Sequence, residues 1–225
     1  MISPIVDLLF HPNVFFKNLM TEKENLVPPA LIILVIGIFG AASAYLTSIL
    51  TANMLGTTGF APSVIIGIAV IFAFFGVFVS WAIISGIFYV ISIVFKGNGE
   101  FSRSLEIVGY GFIPRIIGSF ITLVFALVYL PQVIVPKITQ DMLRDPQAVL
   151  NATKALMSDP AMVQFYRISM VVTIVFLLWS MVCWICGMKY ARQLTLRNAA
   201  FCVGIPVILY ILYLICAMFL FSALY

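Results

Sequence analysis

Residues 25–95 read NLVPPALIILVIGIFGAASAYLTSILTANMLGTTGFAPSVIIGIAVIFAFFGVFVSWAIISGIFYVISIVF. From Asn25 to Phe95 there is no Asp, Glu, Lys, Arg or His over 71 consecutive residues. A helix crosses the hydrocarbon of a bilayer in roughly 20 residues, so this run is too long for one crossing and suits two joined by a short turn. Thr51 to Ser63 supplies that turn with Asn53, Gly56, Gly59 and Pro62, a cluster of helix breakers. The whole chain fits this reading. Its residues are 64% hydrophobic and 9% charged, against about 25% charged in an ordinary soluble domain. The predicted class is an all-α polytopic membrane protein, one domain over residues 1–225.

Working outward, charge-free runs place five spans: Val27 to Leu50, Val64 to Phe95, Ile116 to Pro136, Ile168 to Met188, and Ala199 to the neighbourhood of Tyr225. Pro28 and Pro29 suit the first turn of the first helix. Basic residues favour the cytoplasmic side. With the N-terminus inside, Lys17, Lys23, Lys96, Arg103, Arg115, Lys189, Arg192 and Arg197 are cytoplasmic. Lys137, Arg144, Lys154 and Arg167 then lie outside, together with Asp141, Asp145 and Asp159. Five spans put the C-terminus outside. Tyr89, Tyr129, Tyr166, Tyr190 and Tyr225 fall near expected span ends, where aromatic belts form. Gly37, Gly40, Ala41 and Ala44, then Gly76 and Ser80, then Gly118 and Thr122 have the small-xxx-small spacing that lets helices approach. It serves packing within the chain or a homo-oligomer.

Met1 to Leu26 lacks a basic n-region and contains Asp7, Glu22 and Glu24, so it does not read as a cleaved signal peptide. Targeting is expected to rest on the first span. Ile5, Leu8, Leu9, Phe15, Phe16 and Leu19 recur at helical spacing, divided by Pro12. The stretch is too short to cross. It forms either an amphipathic helix on the cytoplasmic leaflet or a flap on the bundle. In the extracytoplasmic loop, residues 137–166, Asp145-Pro146 and Asp159-Pro160 look like N-cap and first-turn pairs. Val149, Leu150, Thr153, Leu156 and Met157 form an apolar stripe, predicting a helix over the bundle. Asn151-Ala152-Thr153 is a glycosylation sequon in that loop. Cys183 and Cys186 make a CxxC inside a membrane helix, away from the βαβ context of a redox motif, and read as packing residues with Cys202 and Cys216.

The segment with functional character follows the second span. Gly97-Asn98-Gly99-Glu100 is a tight turn, and Phe101 to Phe112 then reads as an amphipathic helix with Phe101, Leu105 and Val108 on one face. Gly109, Tyr110, Gly111 and Pro114 interrupt it. Pro114 disfavours helix at the residue before it, so the third span is expected to start afresh there, with Arg115 at the interface. Arg115 is then a headgroup anchor. If the helix instead runs on from Ile107, it lies ~12 Å deeper and needs a partner, the nearest carboxylate in sequence being Glu106. The candidate partner- or lipid-binding patch is therefore Glu106, Gly109, Tyr110, Pro114 and Arg115.

His11-Pro12-x-x-Phe15-Phe16, the five-span layout, and Gly97-Asn98-Gly99-Glu100-Phe101 leading into Val108-Gly109-Tyr110-Gly111-Phe112-Ile113-Pro114 resemble the Yip family of Ypt/Rab-GTPase-interacting membrane proteins over nearly the whole chain. The resemblance implies a five-helix membrane fold with a cytoplasmic N-terminus and, in eukaryotic members, vesicle trafficking, partner binding and membrane shaping. Those members carry a longer N-terminal region and an Asp-Leu-x-Gly-Pro stretch. About 26 residues precede the first span here and that stretch is missing, as in the short prokaryotic type. Its location is accordingly expected to be a prokaryotic cell membrane.

Composition narrows the function classes. The net charge of +4 gives no clustered basic footprint for nucleic acid. His11 is the single histidine and lies outside every span; no HExxH, Gly-rich phosphate loop or intramembrane Asp pair occurs, which argues against an enzyme. No metal or cofactor is expected. The favoured reading is a membrane scaffold or adaptor that meets membrane lipids, including anionic headgroups, and a protein partner. The alternative is a small transporter, channel or lipid-handling protein, with helix breaks at Gly204 and Pro206 or at Gly109 to Pro114 lining a site.

Overall fold

A computed structural model describes residues 4–56, 59 and 61–224, and side chains up to residue 219. It is an all-α integral membrane protein, with no strand among the described residues. Five helices are long and apolar enough to span a bilayer. In chain order the helices are α1 (Pro4–Phe10), α2 (Pro12–Leu19), α3 (Val27–Leu55), α4 (Pro62–Val94), α5 (Phe101–Tyr110), α6 (Ile113–Tyr129), α7 (Pro146–Met157), α8 (Pro160–Ala191) and α9 (Leu196–Leu224). The expected fifth-span end at Tyr225 lies outside the described residues.

The spans α3, α4, α6, α8 and α9 match the expected five with shifted ends: α3, α8 and α9 overrun their expected bounds, whereas α6 stops at Tyr129, seven residues short of Pro136, where Pro131 brings no N–H to continue the ladder and a 3-10 turn over Leu130–Gln132 follows. α3 continues into the breaker cluster as far as Leu55, because Thr51 and Asn53 leave its i to i−4 bonds intact, and Gly56 is its C-cap. α6 begins at Ile113, with Pro114 in the first turn, where a missing N–H costs nothing. It begins there because Phe112 and Gly111 already have helical φ and ψ, so the break is a one-turn step and not an extended linker. α8 begins at Pro160, eight residues before the expected Ile168, because Asp159 caps it through Ala161 N–H at 2.9 Å and Met162 N–H at 3.3 Å. The other Asp159 oxygen accepts Ile134 N–H at 3.1 Å, which ties the start of α8 to the chain leaving α6.

Packing follows from the absence of hydrophobic drive between lipid-bathed helices, which leaves close approach at small residues. α3 lies along α4, and α8 fits between α6 and α9. A Cβ added at Gly37 would meet Val77 at 3.2 Å, and one at Gly118 would meet Phe176 at 2.9 Å. These small residues are therefore used within the chain. Outward faces remain apolar, as with Phe72 and Val94 on α4.

The two ends of the bundle are covered differently. At one end the capped α7 lies over the spans, burying Ala152 and Leu156 against Leu50, Met54, Leu130 and Phe165. Asp145 caps it through Gln147 N–H at 2.9 Å. At the other end α1 and α2 form a flap on the bundle: Leu8 and Phe16 are fully buried, the Trp179 indole donates to Leu9 O at 3.1 Å, and Tyr190 donates to Asn13 at 2.9 Å. Of the two forms open for this segment, the flap is the one adopted. Phe10 and Val14 still face outward at its rim.

Candidate functional site

Beside the flap, α5 is a wedge driven into the bundle between α3, α4 and α8. It carries Ser102, Arg103, Ser104 and Glu106, so it is too polar to span, yet Ser104, Glu106, Ile107, Val108 and Gly109 are buried. Two indoles make this tolerable. Trp184 of α8 donates to Val108 O at 2.9 Å, a carbonyl in the last turn of α5 where helical partners run out. Trp81 of α4 donates to Leu105 O at 2.9 Å. Gly109 lets α5 reach this depth: a Cβ there would stand 2.5 Å from Pro29 Cβ and 3.1 Å from Trp81 Nε1. The expected face of Phe101, Leu105 and Val108 is buried only toward its C-terminal end, since Phe101 is exposed and packs edge-on to Tyr89 at 5.4 Å.

Glu106 is fully buried. Its Oε2 accepts Arg103 Nη1 at 2.6 Å, and its Oε1 accepts Asn25 N–H at 3.0 Å. Arg103 also donates to Glu22 O at 2.8 Å and pairs with Glu24 at 3.5 Å. The cluster thus ties residues 22–25, which link the flap to α3, onto the wedge. Burial raises the Glu106 carboxyl above its ordinary value, a pull only partly offset by the Asn25 N–H and the Arg103 charge. Tyr110 packs edge-on to Phe15 of the flap at 5.3 Å, and burial raises its phenol above the ordinary value, with the charges of Glu106 and Glu22 adding to it.

The five sequence-flagged residues therefore do not form one patch. Glu106, Gly109 and Tyr110 face the flap, α3 and α4 from the wedge. Pro114 is buried in the first turn of α6. Arg115 belongs elsewhere, and its sequence-nearest carboxylate, Glu106, is committed to Arg103. Because α5 descends before α6 begins, Arg115 lines one cavity with Leu177 of α8 and Pro206 of α9. That cavity reaches from Phe88 of α4 and Trp184 of α8, ~9–11 Å along their helices from the ends at Val94 and Ala191, to Leu177, ~21 Å along α8 at 1.5 Å per residue. Among the described residues the Arg115 guanidinium makes no ion pair or hydrogen bond; it rests over the Phe112 ring at 5.0 Å.

Arg115 walls two cavities. The first, about 190 Å³, lies between α3, α6 and α8 and is lined by Ser43, Ser119, Thr122 and Thr173. The second, about 320 Å³, lies between α4, α6, α8 and α9 and is mostly apolar, with Ile84, Leu177 and Val207. Ile83 and Ile87 of that wall are exposed, so it opens on the outside of the bundle.

Sequence reasoning missed a second arginine. Arg192, at the end of α8, is 2% exposed and has no carboxylate partner among the described residues. It donates to Ser92 Oγ and Gly97 O, both at 2.8 Å, and to Gly99 O, while Tyr89 covers its face at 4.2 Å. Asn98 N–H returns a bond to Arg192 O at 3.0 Å. The Gly97-Asn98-Gly99 turn is thus a clamp closed on Arg192, and Gly99 holds φ +127°, a conformation open to glycine. The signal was present in that turn, but nothing in sequence linked it to a residue about ninety positions away.

Among the described residues no group of three or more His, Cys, Asp or Glu side chains stands ready for a metal ion. Arginines 103 and 192 lock segments together, and no nucleophile pairs with a base in these clusters. In comparisons with known proteins, the family model described as "Yip1 domain" matches residues 6–218. An uncharacterized protein of Methanocaldococcus jannaschii is 38% identical over 127 residues, covering 54% of this chain and 87% of its own. No solved structure matches.

Proposed function

The chain belongs to the Yip1 family, in its short prokaryotic form, and from that premise we propose that it is a non-enzymatic membrane scaffold or adaptor. Its N-terminus is cytoplasmic and its C-terminus extracytoplasmic, in a prokaryotic cell membrane. The flap, the wedge and the Arg192 clamp form a fixed platform on the cytoplasmic side. One observation carries the reading: the ionisable groups packed into that end, half-buried Arg103 and buried Glu106 and Arg192, are spent on holding flap, wedge and turn in place. Around them Lys17, Lys23 and Lys96 remain exposed. Attraction to anionic lipid of about 1 kcal/mol per basic residue near the surface supports a platform that meets headgroups as well as a protein partner.

The test is reconstitution of the full chain in phosphatidylcholine liposomes, reading ion and solute flux beside recruitment of phosphatidylglycerol vesicles. The expected result is recruitment that falls in the Lys17→Gln, Lys23→Gln, Lys96→Gln variant, with no selective flux. Selective flux abolished by Arg115→Ala would replace the scaffold with the transporter reading.

A further inference from the structure

We propose that Arg115 is the anion-binding residue of a phospholipid site inside the bundle, with the lipid phosphate on its guanidinium, a hydroxylated headgroup in the Ser43–Thr122 cavity and an acyl chain in the Ile84–Val207 cavity. The site stands apart from the adaptor reading, because it lies within the spans and needs no platform partner.

Comparison with two other arginines leads to it. Arg103 is taken up by Glu106, Glu24 and Glu22 O. Arg192 is taken up by Ser92, Gly97, Gly99 and Tyr89. Arg115 has neither carboxylate nor carbonyl on its guanidinium among the described residues; it rests over the Phe112 ring and walls two cavities. Guanidinium donors form a rigid fork that matches two oxygens of a phosphate. An oxyanion there supplies the acceptors that the protein withholds.

The two cavities differ as the two ends of a lipid differ. On α6, Arg115, Ser119 and Thr122 follow at i, i+4 and i+7, one face of the helix, and meet Ser43 of α3 and Thr173 of α8. Among the described residues the hydroxyls of Ser43, Thr122 and Thr173 have no hydrogen-bond partner, whereas Ser119 bonds back to Arg115 O at 2.8 Å. Free hydroxyls beside a cation suit a headgroup that carries hydroxyls of its own. The second cavity is apolar and opens sideways between α4 and α9, past exposed Ile83 and Ile87. A chain enters there from the surrounding lipid without crossing polar surface. Pro206 lines the same wall, where its missing N–H frees a carbonyl one turn earlier in α9.

Phosphate chemistry has two sources, a lipid headgroup or free phosphate, and the lateral opening favours the lipid. The test uses the purified full chain in detergent. Native mass spectrometry counts retained phosphatidylglycerol against phosphatidylcholine, and inorganic phosphate is added as competitor. The expected result is one phosphatidylglycerol retained per chain and no competition by phosphate. Loss of a charge-assisted contact predicts about tenfold or greater weakening in Arg115→Gln. Two further variants probe the site with the charge kept: Thr122→Val weakens preference for the hydroxylated headgroup, and Ile84→Trp, which fills the apolar cavity, lowers retention of both lipids. Competition by phosphate, lost in Arg115→Gln, overturns the lipid source and leaves a free oxyanion site. Equal retention in wild type, Arg115→Gln and Ile84→Trp overturns the site.

Discussion

Replacing Gly109 by Ala tests the wedge. The added Cβ would stand 2.5 Å from Pro29 Cβ, 3.1 Å from Trp81 Nε1 and 3.2 Å from Trp81 Cε2. Ordinary contact starts near 3.5 Å, so about an ångström must be found. Pro29 is a rigid ring in the first turn of α3 and Trp81 is 8% exposed, so neither neighbour has slack. Overpacking of this kind costs about 1–3 kcal/mol. If the indole is pushed off Leu105 O, now 2.9 Å away, a buried donor is left without an acceptor, for about 1–3 kcal/mol more. Helix propensity returns about 1 kcal/mol on exchanging Gly for Ala. With the indole displaced, the net loss is about 1–5 kcal/mol, or roughly 2–20 °C in Tm at about 2–4 °C per kcal/mol for a chain of this size. The assay is thermal unfolding in detergent, followed by tryptophan fluorescence, with Gly86→Ala as control. Nothing lies within 4 Å of a Cβ at Gly86 of α4, so this control holds or gains stability. Equal Tm for Gly109→Ala and Gly86→Ala would refute the account of how α5 is seated.

Three other outcomes follow from the same geometry. Burial holds the folded Glu106 carboxyl above its ordinary value, so between the unfolded and folded values the native state keeps a proton that the unfolded chain releases. Its contribution is largest below about 4.5 and falls as pH rises through the folded value; Glu106→Gln flattens that fall in a Tm series from about pH 4 to about pH 8. Gly99→Ala places a Cβ against Ala191 O at φ +127°; it opens the Arg192 clamp and lowers stability by at least about 2 kcal/mol, read as a lower Tm, and protease cleavage at Asn98 reports the opening. Asn151 is exposed on α7, so a cysteine there, with native cysteines replaced, is labelled by an impermeant reagent from outside intact cells; labelling only after lysis reverses the topology.

Much was legible in the sequence because lipid imposes a simple rule. Backbone polar groups at membrane depth need internal partners, so long uncharged runs become helices and charges mark their ends. That logic gave α3, α4, α6, α8 and α9; the Asp145-Pro146 pair marked the start of α7, whereas the Asp159-Pro160 cap reads as part of the loop and the span it opens is expected eight residues later, at Ile168. Span length was less legible. α3 and α8 run on through polar residues because bonds inside a helix do not need lipid.

The candidate site divides along the same line. Gly109, Tyr110 and Pro114 advertised a break, and the chain does step from α5 to α6 there. Their partners were not legible: Pro29 and Trp81 for Gly109, Asn25 for Glu106 and Phe15 for Tyr110 come from distant segments.

Sequence by itself determined the solvent, the number of spans and the places where the helices break, since these depend on composition and local geometry. Only the tertiary structure decided how deep each charge sits and what meets it. Arg103, Arg115 and Arg192 are the same residue type beside similar turns, yet one is paired with carboxylates, one is clamped by carbonyls, and one looks into two cavities. The physical reason is that a guanidinium's environment is set by helices that converge from far along the chain, after α5 has wedged between them.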